Sequence, residues 1–267
     1  MKHVLTVAGS DSCGGAGIQA DLKTFSALGT YGMSVITAVT AQNTTGVVMV
    51  REMDPEMVAA QINCIFEDIK VHAVKVGMVS SAEIITTIGN CLARHRAVNI
   101  VIDPVMVSKS RCNLLRPEAC ETLVKVLFPL ATIVTPNIPE AEVIVGGTIT
   151  SLEDMKGAAV KIYNKGAKNV IVKGGHMEGP AIDVLYDGKQ FLQFSGERVA
   201  TTNTHGTGCT FSSAIAAYLA RGLTMTEAIE GAKKYIHRAI AHSFPIGRGV
   251  GPTNHFHELY EKAGLLD

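Results

Sequence analysis

Short apolar, β-branched runs alternate along the chain with longer amphipathic stretches. VLTVA (4–8), SVITAV (34–39), AVKVG (73–77), NIVID (99–103), TIVTP (132–136) and NVIVKG (169–174) each read as a strand. They are apolar almost throughout rather than at every second position. That pattern belongs to strands buried on both faces, so a mostly parallel sheet with helices on either side is predicted. Helix starts lie between the strands. Asp54-Pro55 offers an N-cap and a first-turn proline, and Ser80/Glu83, Ser151/Asp154 and Thr224/Glu227 have the spacing of capping boxes. AIDVLY (181–186), Asp187-Gly188 and KQFLQF (189–194) form a hairpin pattern, which predicts an antiparallel edge. Two closing helices follow, at about 208–221 and 225–243. No linker, repeat or low-complexity tract interrupts residues 1–267, so a single three-layer α/β domain is expected.

Composition narrows the function classes. The chain is 47% hydrophobic and 18% charged, with Lys plus Arg equal to Asp plus Glu at 24 each. A balanced charge gives no global field towards nucleic acid or an anionic membrane, so neither partner is expected. No apolar stretch is long enough to span a bilayer, and MKHVLTVAGSD runs straight into a strand without the pattern of a secretory signal. The six cysteines show no CxxC pair, and reduced thiols in a cytoplasmic protein are the expectation.

The candidate chemistry sits in turns that follow strands, where a parallel sheet gathers its ligands. GSDSCGGAGIQAD (9–21) contains Gly15-Ala16-Gly17-Ile18-Gln19-Ala20, which fits a dinucleotide fingerprint. The acid needed about twenty residues later for a ribose is missing, which argues against a nicotinamide oxidoreductase. THGTGC (204–209) brackets Thr207 between Gly206 and Gly208 ahead of a long helix, and a helix N-terminus of this kind suits a phosphate. There is no GxxxxGK[ST] and no HRD…DFG set, so neither a P-loop nor a protein-kinase site is present. Asp103 and Glu140 lie just past strand ends as hard oxygen donors for Mg²⁺, and Lys173 ends a strand where an ammonium could steady a transferring phosphate.

Taken in order, GSDSCGGAGIQAD, TAVTAQNT, VGMVSS, DPVM, TPNIPEAE, VKGGH, THGTGCTFSSAIAA and GPTNH resemble the hydroxymethylpyrimidine/phosphomethylpyrimidine kinases of the ribokinase superfamily. The likeness covers essentially the whole chain. It implies an αβα sandwich with a mostly parallel sheet, usually a homodimer, that uses ATP and Mg²⁺ to phosphorylate a heteroaromatic alcohol twice in thiamine biosynthesis. Carried over by motif, Gly9, Ala16, Asp21, Gln42 and Met78 would line a pyrimidine pocket. A side-chain amide such as Gln42 can offer a donor and an acceptor to an aminopyrimidine, and Asp21 could accept from its exocyclic amine. Asn137, Lys173, Gly206, Thr207 and Gly208 would surround the ATP phosphates, Lys233 would lie near the adenine, and Asp103 with Glu140 would serve the metal. Cys13 stands where relatives commonly carry serine or glycine. Cys112 falls in SKSRCNLL, which resembles the family's flap over the acceptor, and a surface or packing role is expected for it.

Most sugar kinases of the superfamily carry an aspartate base at the position of Cys209, whereas the pyrimidine and pyridoxal branch carries cysteine. By that resemblance Cys209 and Lys173 are the catalytic pair. A helix N-terminus and Lys173 are expected to bring the thiol pKa down from about 8.5 towards neutrality. The rival readings are a pyridoxal or pyridoxine kinase of the same branch and a non-catalytic pyrimidine-binding homologue. Gln42 and GPTNH lean towards the pyrimidine.

Overall fold

The computed structural model describes residues 1–106, 117–175, 177 and 179–266. Its centre is a nine-stranded sheet in the order β3-β2-β1-β4-β5-β6-β7-β8-β9. The strands are β1 (Lys2–Asp11), β2 (Thr30–Asn43), β3 (Gly46–Glu52), β4 (Ala73–Val76), β5 (Ile100–Ile102), β6 (Ile133–Val134), β7 (Val170–Val172), β8 (Asp183–Tyr186) and β9 (Phe191–Phe194). The strands from β2 through β7 in the sheet order pair in parallel, and β7-β8-β9 is antiparallel as the hairpin pattern predicts.

The helices are α1 (Gly17–Ala27), α2 (Pro55–Asp68), α3 (Ala82–Arg94), α4 (Pro117–Val126), α5 (Ile138–Val145), α6 (Leu152–Tyr163), α7 (Thr207–Ala220), α8 (Met225–Ala241) and α9 (His257–Lys262). Successive strand residues feed two separate cores, which is why the strands lack polar alternation. Val74, Ile100, Ile102, Val134, Val170 and Val172 pack with α2 to α6. Ala73, Val101, Ile133 and Ile171 pack with α1, α7 and α8. The three-layer architecture follows.

Local signals at the helix starts are mostly realised. Ser151/Asp154 and Thr224/Glu227 form reciprocal capping boxes. Two expectations need correction. Ser81, not Ser80, caps α3, accepting from Ile84 N at 3.3 Å. Asp54 occupies the N-cap of α2, but its side chain makes no capping bond. A second antiparallel edge was not anticipated: β3 turns back against β2 across a bend in which Asn43 Oδ1 accepts from Thr45 N and Gly46 N. Cys112 and the flap-like segment lie outside the described residues, as does His176 of VKGGH.

The chain ends by stitching GPTNH against α7 and α8. Asn254 N donates to Ala239 O, Tyr235 Oη donates to His255 O, and His255 Nε2 lies 3.0 Å from Thr210 Oγ1. Burial, assisted by the charge of Lys23, lowers the His255 pKa from 6.5 to about 4. The folded protein therefore binds fewer protons here than the unfolded chain does. This contribution to stability is intact above pH 6.5 and is lost as the pH falls towards about 4. Urea midpoints measured across that window should fall more steeply for the wild type than for His255→Asn. Parallel slopes would show that His255 does not titrate in this way.

Candidate functional site

Two turns at the carboxyl edge of the sheet meet face to face. The first wraps around Asp11, the last residue of β1. Its carboxylate accepts from Cys13 N (2.8 Å), Gly15 N (3.1 Å) and Ala16 N (2.8 Å). The second turn, His205–Cys209, opens α7. Gly206 has φ 78°, and a Cβ there would collide with the Gly15 carbonyl oxygen. Only glycine allows both the left-handed backbone and this approach. His205 Nε2 closes the contact at 2.8 Å from Asp11 Oδ2.

Neither α1 nor α7 has a side-chain cap, in contrast to α5, α6 and α8. The partial positive ends of two helices therefore face Cys209, which opens α7 and lies against the start of α1. Gly17 N donates to the sulfur from the start of α1. The expected fall in the thiol pKa does not occur. Burial raises the Cys209 thiol to about 11; Lys75 opposes this, and Asp21 and Asp103 add to it. Lys173 also attracts the thiolate, but it is paired with Asp103 Oδ1 at 3.0 Å and the burial outweighs it.

Beneath the thiol lies a residue that the motif reading did not single out. Lys75, on β4, is fully buried with its Nζ 3.0 and 2.9 Å from the two oxygens of Asp21. Thr6 Oγ1 and Ser213 Oγ also donate to that carboxylate, each at 2.6 Å. This corrects the assignment of Asp21 to the pyrimidine pocket. It is 0% exposed, and its acceptor sites face the protein interior, so it supports the floor of the site instead of lining it. The signal was present in sequence: a lone lysine inside an apolar parallel strand has to find a buried partner.

Around the second turn the structure gathers most of the residues expected at the phosphates. Asp103 accepts from Lys173, from Thr135 Oγ1 (2.9 Å) and from Ser212 Oγ (3.2 Å). A Cβ on Gly208 would lie 3.5 Å from Lys173 Nζ and 3.7 Å from Asp103 Oδ2, so the anion turn sits directly over this pair. Asn137 bridges to Lys173 through the backbone, and it forms a capping box with Glu140: Asn137 N donates to Glu140 Oε2 (2.8 Å), and Glu140 N donates to Asn137 Oδ1 (2.9 Å). Burial opposes ionisation of Asp103, but Lys173 and Lys75 outweigh it and hold its pKa down. Glu140 is pushed up to about 7 by burial, against the pull of Lys173 and with the repulsion of Asp103. Two buried carboxylates thus share one ammonium. Such a set of hard oxygens with surplus negative charge fits a divalent cation.

On the other side, Gly9 is packed against Met78, where a Cβ would strike the methionine methyl. Gln42 is half-buried and tied to the first turn through Ser12, whose Oγ donates to Gln42 O (2.8 Å) and accepts from Gln42 N (2.9 Å). Lys233, expected near the adenine, lies on α8. Its ammonium is engaged by Asp183 Oδ2 (2.6 Å) and Ala181 O (2.8 Å), at the rim of a 500 Å³ cleft with Ser195, Gly196 and Tyr235. Among the described residues, a further group of possible metal donors, Asp11, Cys13 and His205, lies within the first turn and its contact.

Residues 11–254 match the family model described as phosphomethylpyrimidine kinase. The chain belongs to the phosphomethylpyrimidine kinase family. It is 53% identical, over 94% of its length, to the thiamine biosynthesis bifunctional protein ThiED of Geobacter sulfurreducens, of which it spans 52%. It is 51% identical to the hydroxymethylpyrimidine/phosphomethylpyrimidine kinase of Rhizobium meliloti, covering 96% of this chain and 98% of that one. An ADP complex of Bacillus subtilis pyridoxal kinase superposes with a TM-score of 0.91 at 42% identity, covering 97% of this chain and 99% of that one. The fold is therefore ribokinase-like and the chain is a kinase of this family, with no described helix long and apolar enough to cross a membrane.

Removing one member of the buried pair tests the floor of the site. Lys75→Met leaves Asp21 uncompensated and should cost about 3–5 kcal/mol. Adding Asp21→Asn should recover a substantial part of that loss. Urea unfolding of the three variants in a double-mutant cycle measures both. A simple sum of the single effects would show that the two side chains do not act as a pair.

Proposed function

We propose that this member of the phosphomethylpyrimidine kinase family uses ATP and Mg²⁺ to phosphorylate 4-amino-5-hydroxymethyl-2-methylpyrimidine, first on its alcohol and then on the resulting monophosphate, in thiamine biosynthesis. The observation that carries the reading is the contact between the two turns. It supports a shared site in which Gln42 and the Ala16 backbone belong to the first turn and its contacts, and Gly206–Gly208 with Lys173 to the second. A small heteroaromatic alcohol held by the first group would present its CH₂OH to a phosphate held by the second, and such positioning is the larger part of phosphoryl transfer. The relative named for both hydroxymethylpyrimidine and phosphomethylpyrimidine covers nearly the same length at 51% identity, which supports a two-step substrate.

In this scheme the first-turn amides of α7 and Lys173 stabilise charge on the transferring group. Asp103 and Glu140 would hold the metal, which supplies charge neutralisation on the phosphates when bound. Cys209 is the proton acceptor for the alcohol. Its thiol, held up at about 11, carries its own proton in the ligand-free protein, so the base role requires the bound ligands to release that proton. The monophosphate, already largely deprotonated near neutral pH, makes no such demand. Cys209→Ala should thus lower turnover of the alcohol by about 100-fold or more and spare turnover of the monophosphate. The two half-reactions are to be measured separately, and equal losses would leave Cys209 as a structural member of the anion turn.

The similarity to a pyridoxal kinase sustains a second reading, pyridoxal phosphorylation at the same site. ATP-consumption assays with hydroxymethylpyrimidine, its monophosphate and pyridoxal separate the two, turnover of the monophosphate being decisive for the first. We also assign the protein to the cytoplasm as a homodimer. Five described cysteines are free, in keeping with a reducing compartment. Val48, Met49 and Val50 on the edge strand β3 are exposed, at 80, 63 and 39%, a surface that a second copy would cover. Met49→Glu should shift the mass measured by light scattering from dimer to monomer; an unchanged mass would place the interface elsewhere.

A further inference from the structure

Among the described residues, one trio of metal-ligating side chains lies apart from Asp103 and Glu140. Asp11 ends β1, Cys13 follows two residues later, and His205 comes from just before α7. A carboxylate oxygen, the sulfur and an imidazole nitrogen of these three lie within 4.8 Å of one another. Their closeness is built into the backbone. A Cβ on Gly15 would collide with the His205 ring, and His205 N donates to Gly251 O at 3.0 Å, so the ring is held against the first turn.

The groups that normally stand behind metal ligands are also in place. A ligating carboxylate is itself hydrogen-bonded, and those bonds orient it. Asp11 Oδ1 accepts from Cys13 N (2.8 Å), and Oδ2 accepts from Gly15 N (3.1 Å) and Ala16 N (2.8 Å). Gly15 N also faces the Cys13 sulfur. Asp11 Oδ2 and His205 Nε2 are 2.8 Å apart. Two such ligands on one tetrahedral ion are about 3.3 Å apart, so an opening of about half an ångström lets a cation replace the proton between them. The sulfur has to draw in by about 1 Å at most. The imidazole keeps its proton by passing to the Nδ1 tautomer, and the thiol gives one proton to solvent. The Lys23 ammonium, engaged by Gly14 O at 2.8 Å on the same turn, opposes the cation, but it is exposed and screened.

We propose that Asp11, Cys13 and His205 bind one borderline divalent cation of the Zn²⁺ class, at a site distinct from the Mg²⁺ place at Asp103 and Glu140. The donor set makes the distinction. Thiolate with imidazole and carboxylate suits Zn²⁺, whereas Mg²⁺ takes oxygen ligands. Three protein ligands leave a fourth position for water. Asp11 and His205 are only 3 and 8% exposed while Cys13 is half-buried, so the ion enters past the thiol. Coordination there would tie the two turns together more firmly than the present hydrogen bond does. The proposal does not depend on which alcohol the kinase phosphorylates.

The test uses chelator-treated full-length protein titrated with cobalt(II) and zinc(II) chlorides in excess Mg²⁺. Cobalt should bind at one equivalent with a thiolate-to-metal charge-transfer band and the intense visible bands of a tetrahedral ion, and zinc should displace it. Cys13→Ala should abolish the charge-transfer band and weaken zinc binding at least about 100-fold, more than loss of an outer-shell partner costs. Cys64→Ser, which removes another exposed thiol, should leave both unchanged. Zinc should raise the Tm of the wild type and of Cys64→Ser but not that of Cys13→Ala. Nitrogen-15 NMR of the wild type tests His205 without a substitution: its Nε2 should lose its proton when zinc is added. No thiolate band, a band that survives in Cys13→Ala or disappears in Cys64→Ser, displacement by Mg²⁺, or an Nε2 that keeps its proton would each overturn the proposal.

Discussion

Charge buried under the first two turns of α7 has to be paired, and the pairing is what seats this helix over the sheet. Lys75 with Asp21 and Lys173 with Asp103 lie side by side at the carboxyl ends of the central strands. Adjacent serines on α7 bond to the two carboxylates, Ser213 to Asp21 and Ser212 to Asp103. An unpaired ion at either place would carry a desolvation penalty of several kcal/mol, so the helix cannot shift without exposing or orphaning a charge. The position of the Gly206–Cys209 turn is a consequence of that docking.

The same arrangement explains the state of the thiol. A cysteine at two helix N-termini would ordinarily be acidic, but here both nearby ammonium groups are already neutralised by carboxylates, and burial prevails. The resting site is thus electrically quiet around Cys209, with its surplus negative charge displaced to Asp103 and Glu140, where a cation fits. A site built this way changes its electrostatics only when its ligands arrive.

Glycine does the complementary work on the backbone. Gly15 and Gly206 let two turns from opposite ends of the chain touch, and the Asp11–His205 bond joins them. The two turns are therefore parts of one packed unit, although one follows β1 and the other opens α7.

Much of this was readable in the chain. Unbroken apolar runs gave the two-sided parallel sheet, because each strand has to feed two cores. Serine and threonine three residues ahead of an acid marked α6 and α8, because capping is a local bond. Glycine-bracketed turns after strands marked one edge of the sheet, and Asp103, Asn137, Glu140, Lys173 and Gly208 come together there. What sequence could not decide were the long-range partners. Asp21 lies in a binding motif but spends its carboxylate on Lys75, 54 residues away. The Cys209 pKa depends on ammonium groups already spent on carboxylates, and β3 exists only because β2 offers it an edge. Local bonds are written in neighbouring residues; the destination of a buried charge or an edge strand is settled only when distant segments pack together.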